Sequence, residues 1–127
     1  MDKIRILIVD DQESVRQSLK TVLRLAPDLE VVGEAAGGAE AAEQAAVLQP
    51  DVVVMDMMMA GTDGLAATKA IKRRSRDVAV VMLTMHGSQA MGRRADRAGV
   101  DAFVEKGVSM DDLVQTIRRV AGNGPSA

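Results

Sequence analysis

Cysteine, tryptophan and tyrosine are absent from this chain of 127 residues, and phenylalanine and histidine occur once each, as Phe103 and His86. Zero cysteine excludes a disulfide scaffold, a thiolate metal site and a cysteine nucleophile. A single histidine excludes a multi-histidine metal centre. Without tryptophan or tyrosine there is no stacking platform for single-stranded nucleic acid. Sixteen Lys and Arg against eighteen Asp and Glu leave a net charge of −2, which carries no electrostatic footprint for DNA or an anionic membrane. No apolar run approaches the roughly 18 residues of a membrane span. Met1-Asp2-Lys3 leads straight into a strand-like run, unlike a signal peptide, so a soluble cytoplasmic protein is the expectation. What remains is an ordinary globular balance, 47% apolar and 27% charged, in a length that fits one domain. Its core must be built from Val, Ile, Leu, Met and Ala.

Ile4-Arg5-Ile6-Leu7-Ile8-Val9 is β-branched and apolar, as in a strand buried on both faces of a parallel sheet. Asp10-Asp11 ends it. Val15, Leu19, Val22 and Leu23 then fall on one helical face, with Asp11 or Ser14 as the cap and Pro27-Asp28 as the break. Residues 30–35 read as a more polar edge strand, 39–49 as an Ala-rich helix stopped by Pro50, and 51–56 as a third strand that again ends in Asp. Gly61 and Gly64 mark a loop before a helix over 65–74 with Leu65, Thr68 and Ile71 inward. A fourth strand covers 79–84. The helix predicted over 88–98 has a poor inward face of Met91, Ala95 and Ala98, and Gly99 ends it. A short fifth strand over 102–105 precedes Lys106-Gly107 and a last helix, capped by Ser109, with Leu113, Ile117 and Val120 inward. Five strands alternating with five helices imply an α/β fold: parallel βαβ units, right-handed crossovers and helices on both faces.

In open α/β sheets the functional groups collect beyond the carboxyl ends of the strands. Asp10-Asp11, Asp56 and Thr84 stand at three such ends, and Lys106 follows a fourth. Taken singly, each has a plainer explanation: an aspartate capping a helix or opening a loop, a threonine chosen for β propensity, a solvated lysine. Their joint placement is the signal. The doubly wound, flavodoxin-like order 2-1-3-4-5, borrowed from a known fold, makes strands 1 and 3 neighbours and gathers Asp10, Asp11 and Asp56 in one crevice. Three carboxylates repel one another unless a cation joins them, and an all-oxygen set favours a hard ion, Mg²⁺ above all. A carboxylate beside Mg²⁺ can act as a nucleophile toward phosphorus, with Thr84 and Lys106 to hold phosphoryl oxygens. Neither a G-x-G-x-x-G nor a G-x-x-x-x-G-K-[ST] loop is present. A haloacid-type phosphatase would want an Asp where Met58 stands.

Over about residues 4–121 this pattern resembles the CheY-like receiver domain of bacterial two-component response regulators. Asp10-Asp11 matches the acidic pair and Asp56 the phospho-accepting aspartate; Thr84, Phe103 and Lys106 match the switch hydroxyl, the switch aromatic and the lysine. The resemblance implies that Asp56 takes a phosphoryl group from a phosphohistidine on a sensor histidine kinase. Asp11, Asp56 and the main-chain carbonyl of Met58 would bind Mg²⁺ directly, and Asp10 through water. Hydrolysis of the acyl phosphate would reset the switch, the only turnover expected of the chain. Phosphorylation would draw in Thr84, turn Phe103 into the vacated space and rearrange the surface of the fourth helix, fifth strand and fifth helix, where an effector would read it.

Ala60 and Gly107 stand where the family usually has proline; Gly107 excludes a cis-Pro peptide there. Gly107, Val31-Val32-Gly33-Glu34-Ala35, Leu83-Thr84-Met85-His86 and Ile117-Arg118-Arg119-Val120-Ala121-Gly122 resemble the NarL/LuxR-type subfamily, whose output is a helix-turn-helix domain. Residues 1–121 are therefore expected to form the receiver domain, with 122–127 a tail or the start of a linker. Transcriptional control through a further domain is the expected output. A stand-alone receiver, a phosphorylation-independent interaction module and a small Mg²⁺ phosphatase are the alternatives. The resemblance leaves room for a phosphorylation-dependent dimer, with no direct nucleic-acid or membrane binding by this segment. His86 is read as an exposed loop residue; its alternative is to flank the phosphoryl group with Met58 and tune attack by water. Lys72-Arg73-Arg74 and Arg93-Arg94-Arg97 are read as solvated helix faces, the first also suiting a helix C-terminus.

Overall fold

The computed structural model describes residues 3–59, 62–84, 99–105 and 110–122. The main strands are β1 (Ile4–Val9), β2 (Leu29–Ala35), β3 (Val52–Asp56), β4 (Ala79–Thr84) and β5 (Ala102–Glu105). They form one parallel sheet in the order β2-β1-β3-β4-β5, with β2 at one edge as its polarity predicted. Helices α1 (Glu13–Leu23), α2 (Gly38–Leu48) and α3 (Gly64–Arg74) and a C-terminal helix (Met110–Gly122) cover the faces. The helix predicted over 88–98 and the Ser109 cap lie outside the described residues. The C-terminal helix runs through Gly122, the residue assigned from sequence to the tail.

Alternation along each strand divides the core in two. Leu7, Val9, Val53, Met55, Val80 and Met82 point to the face covered by α2 and α3, where Ala41, Ala45, Leu65 and Ile71 meet them. Ile6, Ile8, Val52, Val54, Val81 and Val104 point to the other face, against Leu19 and Leu23 of α1 and Leu113, Val114 and Ile117 of the C-terminal helix. Burial on both faces is why β1, β3 and β4 are near-continuous apolar runs. Ile71 and Ile117 are fully buried; each contributes about 1.5–3 kcal/mol of burial. The small residues of α2, buried at Gly38, Ala41, Ala42 and Ala45, fill its sheet-facing side.

Three local expectations are corrected. Gln12 caps α1 and its side chain makes no capping bond. Asp10 instead accepts the Gln12 N–H through Oδ1 at 2.9 Å, so its carboxylate folds over its own loop. The loop after Asp56 contains a two-residue antiparallel ladder, Met58–Met59 with Thr62–Asp63, which strand periodicity could not reveal at that length. Lys72 is not simply solvated. Its ammonium donates to the Val78 carbonyl at 2.6 Å and to Asp101 Oδ2 at 2.9 Å, and that same oxygen accepts the Val80 N–H at 2.7 Å. This clamp ties the end of α3 to the starts of β4 and β5. Arg73 and Arg74 are exposed.

Candidate functional site

Strand register builds the site. Val9 pairs with Met55, so Asp10 and Asp56 are the next residues along adjacent strands. One carboxylate oxygen from each of Asp10, Asp11 and Asp56 lies within 4.8 Å of the others. Asp10 and Asp56 are buried, whereas Asp11 is the more accessible of the three. Ligands on opposite sides of one Mg²⁺ stand about 4.2 Å apart, twice the usual bond length, so the grouping has the scale of a single ion. The donor set is hard oxygen throughout. On both counts the residues fit a hard divalent cation, and the cluster could hold one.

The other candidates are placed by the same pairings. Asp56 pairs with Leu83, which puts Thr84 one step further along β4, buried at the sheet's upper edge. Thr84 pairs with Glu105, and Phe103 pairs with Met82. Phe103, partly buried, packs on the α2–α3 side of the sheet, the side to which Val80, Met82 and then Thr84 belong. The main chain of Met58 is paired with Asp63 in the short ladder. Lys106, which follows Glu105 in sequence, and His86, Ala60 and Gly107 lie outside the described residues.

Two contributors escaped the sequence. Gly64 opens α3 with its N–H on the Met57 carbonyl at 3.3 Å, and a β-carbon there would sit 2.9 Å from both Cα and O of Met57. The helix therefore begins in contact with the backbone that leaves Asp56, and Asp63 caps it by accepting the Leu65 N–H. Beside the acidic pair, Arg16 on α1 donates from Nη1 to the Asp10 carbonyl at 2.7 Å and from Nε to Glu34 at 2.9 Å, while Lys20 donates to the other Glu34 oxygen at 2.7 Å. Lys20 first, and then Arg16, hold the Glu34 carboxyl below its ordinary range against the opposing effect of burial. Arg16 sits on the flank of the Val15–Leu19 stripe, a position where a charge usually marks only the solvent boundary.

The family described as the response regulator receiver domain matches residues 6–118. The chain belongs to that family. The receiver domain is 38% identical over 120 residues to the response regulator protein VraR of Staphylococcus saprophyticus, covering 94% of this chain and 57% of that one. It thus spans little more than half the length of the curated relatives it matches. Among solved structures it resembles a LuxR-family two-component response regulator from Aurantimonas sp. SI85-9A1, with a TM-score of 0.90 and 32% identity over 95% of this chain and 86% of that one. It also resembles the signal receiver domain of NarL from Mycobacterium tuberculosis, with a TM-score of 0.90 and 28% identity over 97% and 99%. The receiver fold and the NarL/LuxR-type likeness agree with the expectations from sequence. Among the described residues no helix is long and apolar enough to cross a membrane.

Proposed function

We propose that this receiver domain is a phosphoacceptor switch: Asp56 takes a phosphoryl group from the phosphohistidine of a sensor histidine kinase, with Mg²⁺ held by Asp11, Asp56 and the Met58 carbonyl and, through water, by Asp10. The observation that carries the reading is the gathering of three carboxylates at the ends of β1 and β3. An Asp56 carboxylate oxygen attacks phosphorus as the P–N bond breaks. The histidine nitrogen leaves with the bonding pair, and an acyl phosphate remains. Water later cleaves it to inorganic phosphate and the free carboxylate. Mg²⁺, when bound, neutralises charge on the phosphoryl oxygens and relieves carboxylate repulsion. Thr84 and Lys106 hold the remaining phosphoryl oxygens. Nothing else is turned over, so the chain is a signalling protein rather than an enzyme in the metabolic sense.

Thr84 and Phe103 relay the state to the surface expected of the fourth helix, fifth strand and fifth helix. His86 keeps its reading as a loop residue. Receiver function is assigned to residues 1–121, with 122–127 a tail or the start of a linker. The NarL/LuxR-type relatives support transcriptional output in a cytoplasmic regulator. The test is intact-mass spectrometry after incubation with acetyl phosphate. One phosphate should add in the presence of Mg²⁺, and none after chelation or in Asp56→Asn. A folded chain that takes up no phosphate would instead favour a phosphorylation-independent interaction module.

A further inference from the structure

The peptide between Asp10 and Asp11 joins two of the three carboxylates of the metal cluster. How that peptide plane is turned decides where both side chains point. Its carbonyl accepts from Arg16 Nη1 at 2.7 Å. On the other side of the residue, the Asp10 N–H donates to the Ala35 carbonyl at 3.1 Å, and Asp10 Oδ1 accepts from Gln12. The guanidinium is in turn held by Glu34 through Nε, and only 15% of the Arg16 side chain is exposed. Its planar fork thus spans α1, the edge strand β2 and the metal-side loop. A point charge such as an ammonium cannot make both bonds with the same geometry.

We propose that Arg16 is a positioning residue for the divalent cation, fixing the Asp10–Asp11 peptide in the orientation that presents both carboxylates to the ion. The inference rests on the Mg²⁺ reading given above. Residues that orient metal ligands typically alter affinity by about 10–100-fold when lost. The bond here is to the ligand's backbone, so the lower end is expected. Lys20 supplies the internal control, because it grips Glu34 in the same ion cluster but makes no bond to Asp10.

The experiment is a calorimetric Mg²⁺ titration of the chain and its variants at 25 °C, where far-UV circular dichroism verifies that each is folded. Arg16→Ala should raise the Mg²⁺ dissociation constant about tenfold. Arg16→Lys should raise it by a smaller factor and keeps the test available if the alanine variant does not fold. Lys20→Ala should lower the melting temperature yet leave the dissociation constant within about twofold. Parent-like Mg²⁺ affinity in both Arg16 variants overturns the proposal alone, as does an equal loss in Lys20→Ala, which would mark a general packing effect. Absence of binding by the parent chain overturns the Mg²⁺ reading and the proposal together.

Discussion

Replacing Gly64 by alanine tests how closely the start of α3 is fitted to the backbone that leaves Asp56. The added β-carbon would stand 2.9 Å from Met57 Cα, 2.9 Å from Met57 O and 3.3 Å from Asp56 O. All three are main-chain atoms, so no flexible side chain can move aside. Relief requires α3 or the Asp56–Met57 segment to shift by several tenths of an ångström. Overpacking of this kind costs about 1–3 kcal/mol. Alanine returns up to about 1 kcal/mol through helix propensity, less at the first helical position. A net loss of about 1–2 kcal/mol should lower the melting temperature by roughly 4–8 °C for a domain of this size. Far-UV circular dichroism is the suitable probe, since the chain has no tryptophan or tyrosine. The displaced backbone is also that of Asp56, the proposed phosphoacceptor, and a misplacement approaching 1 Å can slow a reaction by about 10²-fold. Phosphate uptake from acetyl phosphate should therefore slow at least several-fold at a temperature where the variant is folded. A melting temperature within 1 °C of the parent (about the precision of the assay on the scale above), together with an unchanged uptake rate, would show that this approach has slack and would refute the argument.

Two further outcomes follow from the ion pairs. Because Glu34 has its folded pKa held down by Lys20 and Arg16, the stability it contributes is complete above its unfolded value and is lost as pH falls through the lower folded value. The melting-temperature gap between the parent and Glu34→Gln should hold from pH 7 to about 5 and close below about pH 4.3; the same gap at both ends would contradict the assignment. Asp101→Ala strips the Val80 N–H and the Lys72 ammonium of a shared acceptor. In urea unfolding it should cost about 1–3 kcal/mol, and more than Lys72→Met, which leaves the Val80 bond intact; the reverse order would show that the ion pair, not the backbone bond, matters.

The strand framework was legible because burial on both faces demands near-continuous apolar runs, and 6–9, 52–55 and 79–83 have them. The carboxylates were legible because they end those runs, and register alone then aligns Asp10 with Asp56. What escaped depends on distances between parts of the chain that share no periodicity. Nothing local to Arg16 announces that its guanidinium meets a carbonyl six residues back and a carboxylate on β2. Gly64 looked like loop punctuation, whereas its missing side chain is required by a backbone passing overhead. The cap of α1 was misassigned for a related reason: a short polar side chain at a strand end can turn to either neighbour, and Asp10 folds over its own loop while Gln12 enters the helix without a side-chain bond.

The parity of the sheet has a consequence for how such a domain can be altered. Asp56 continues the Val52–Val54 side, facing α1 and the C-terminal helix, while Thr84 continues the Val80–Met82 side, where Phe103 also lies. The proposed acceptor and the proposed readout thus belong to opposite sides of one wall and meet only over its upper rim. Removing Val81 from β4 would carry Met82 and the Thr84 hydroxyl to the wrong side of the sheet relative to Val80. Loops at the opposite end of the sheet from Asp56 can change length and leave this arrangement intact, but an odd insertion or deletion within β3 or β4 would put the proposed acceptor and readout out of step even if the sheet still formed.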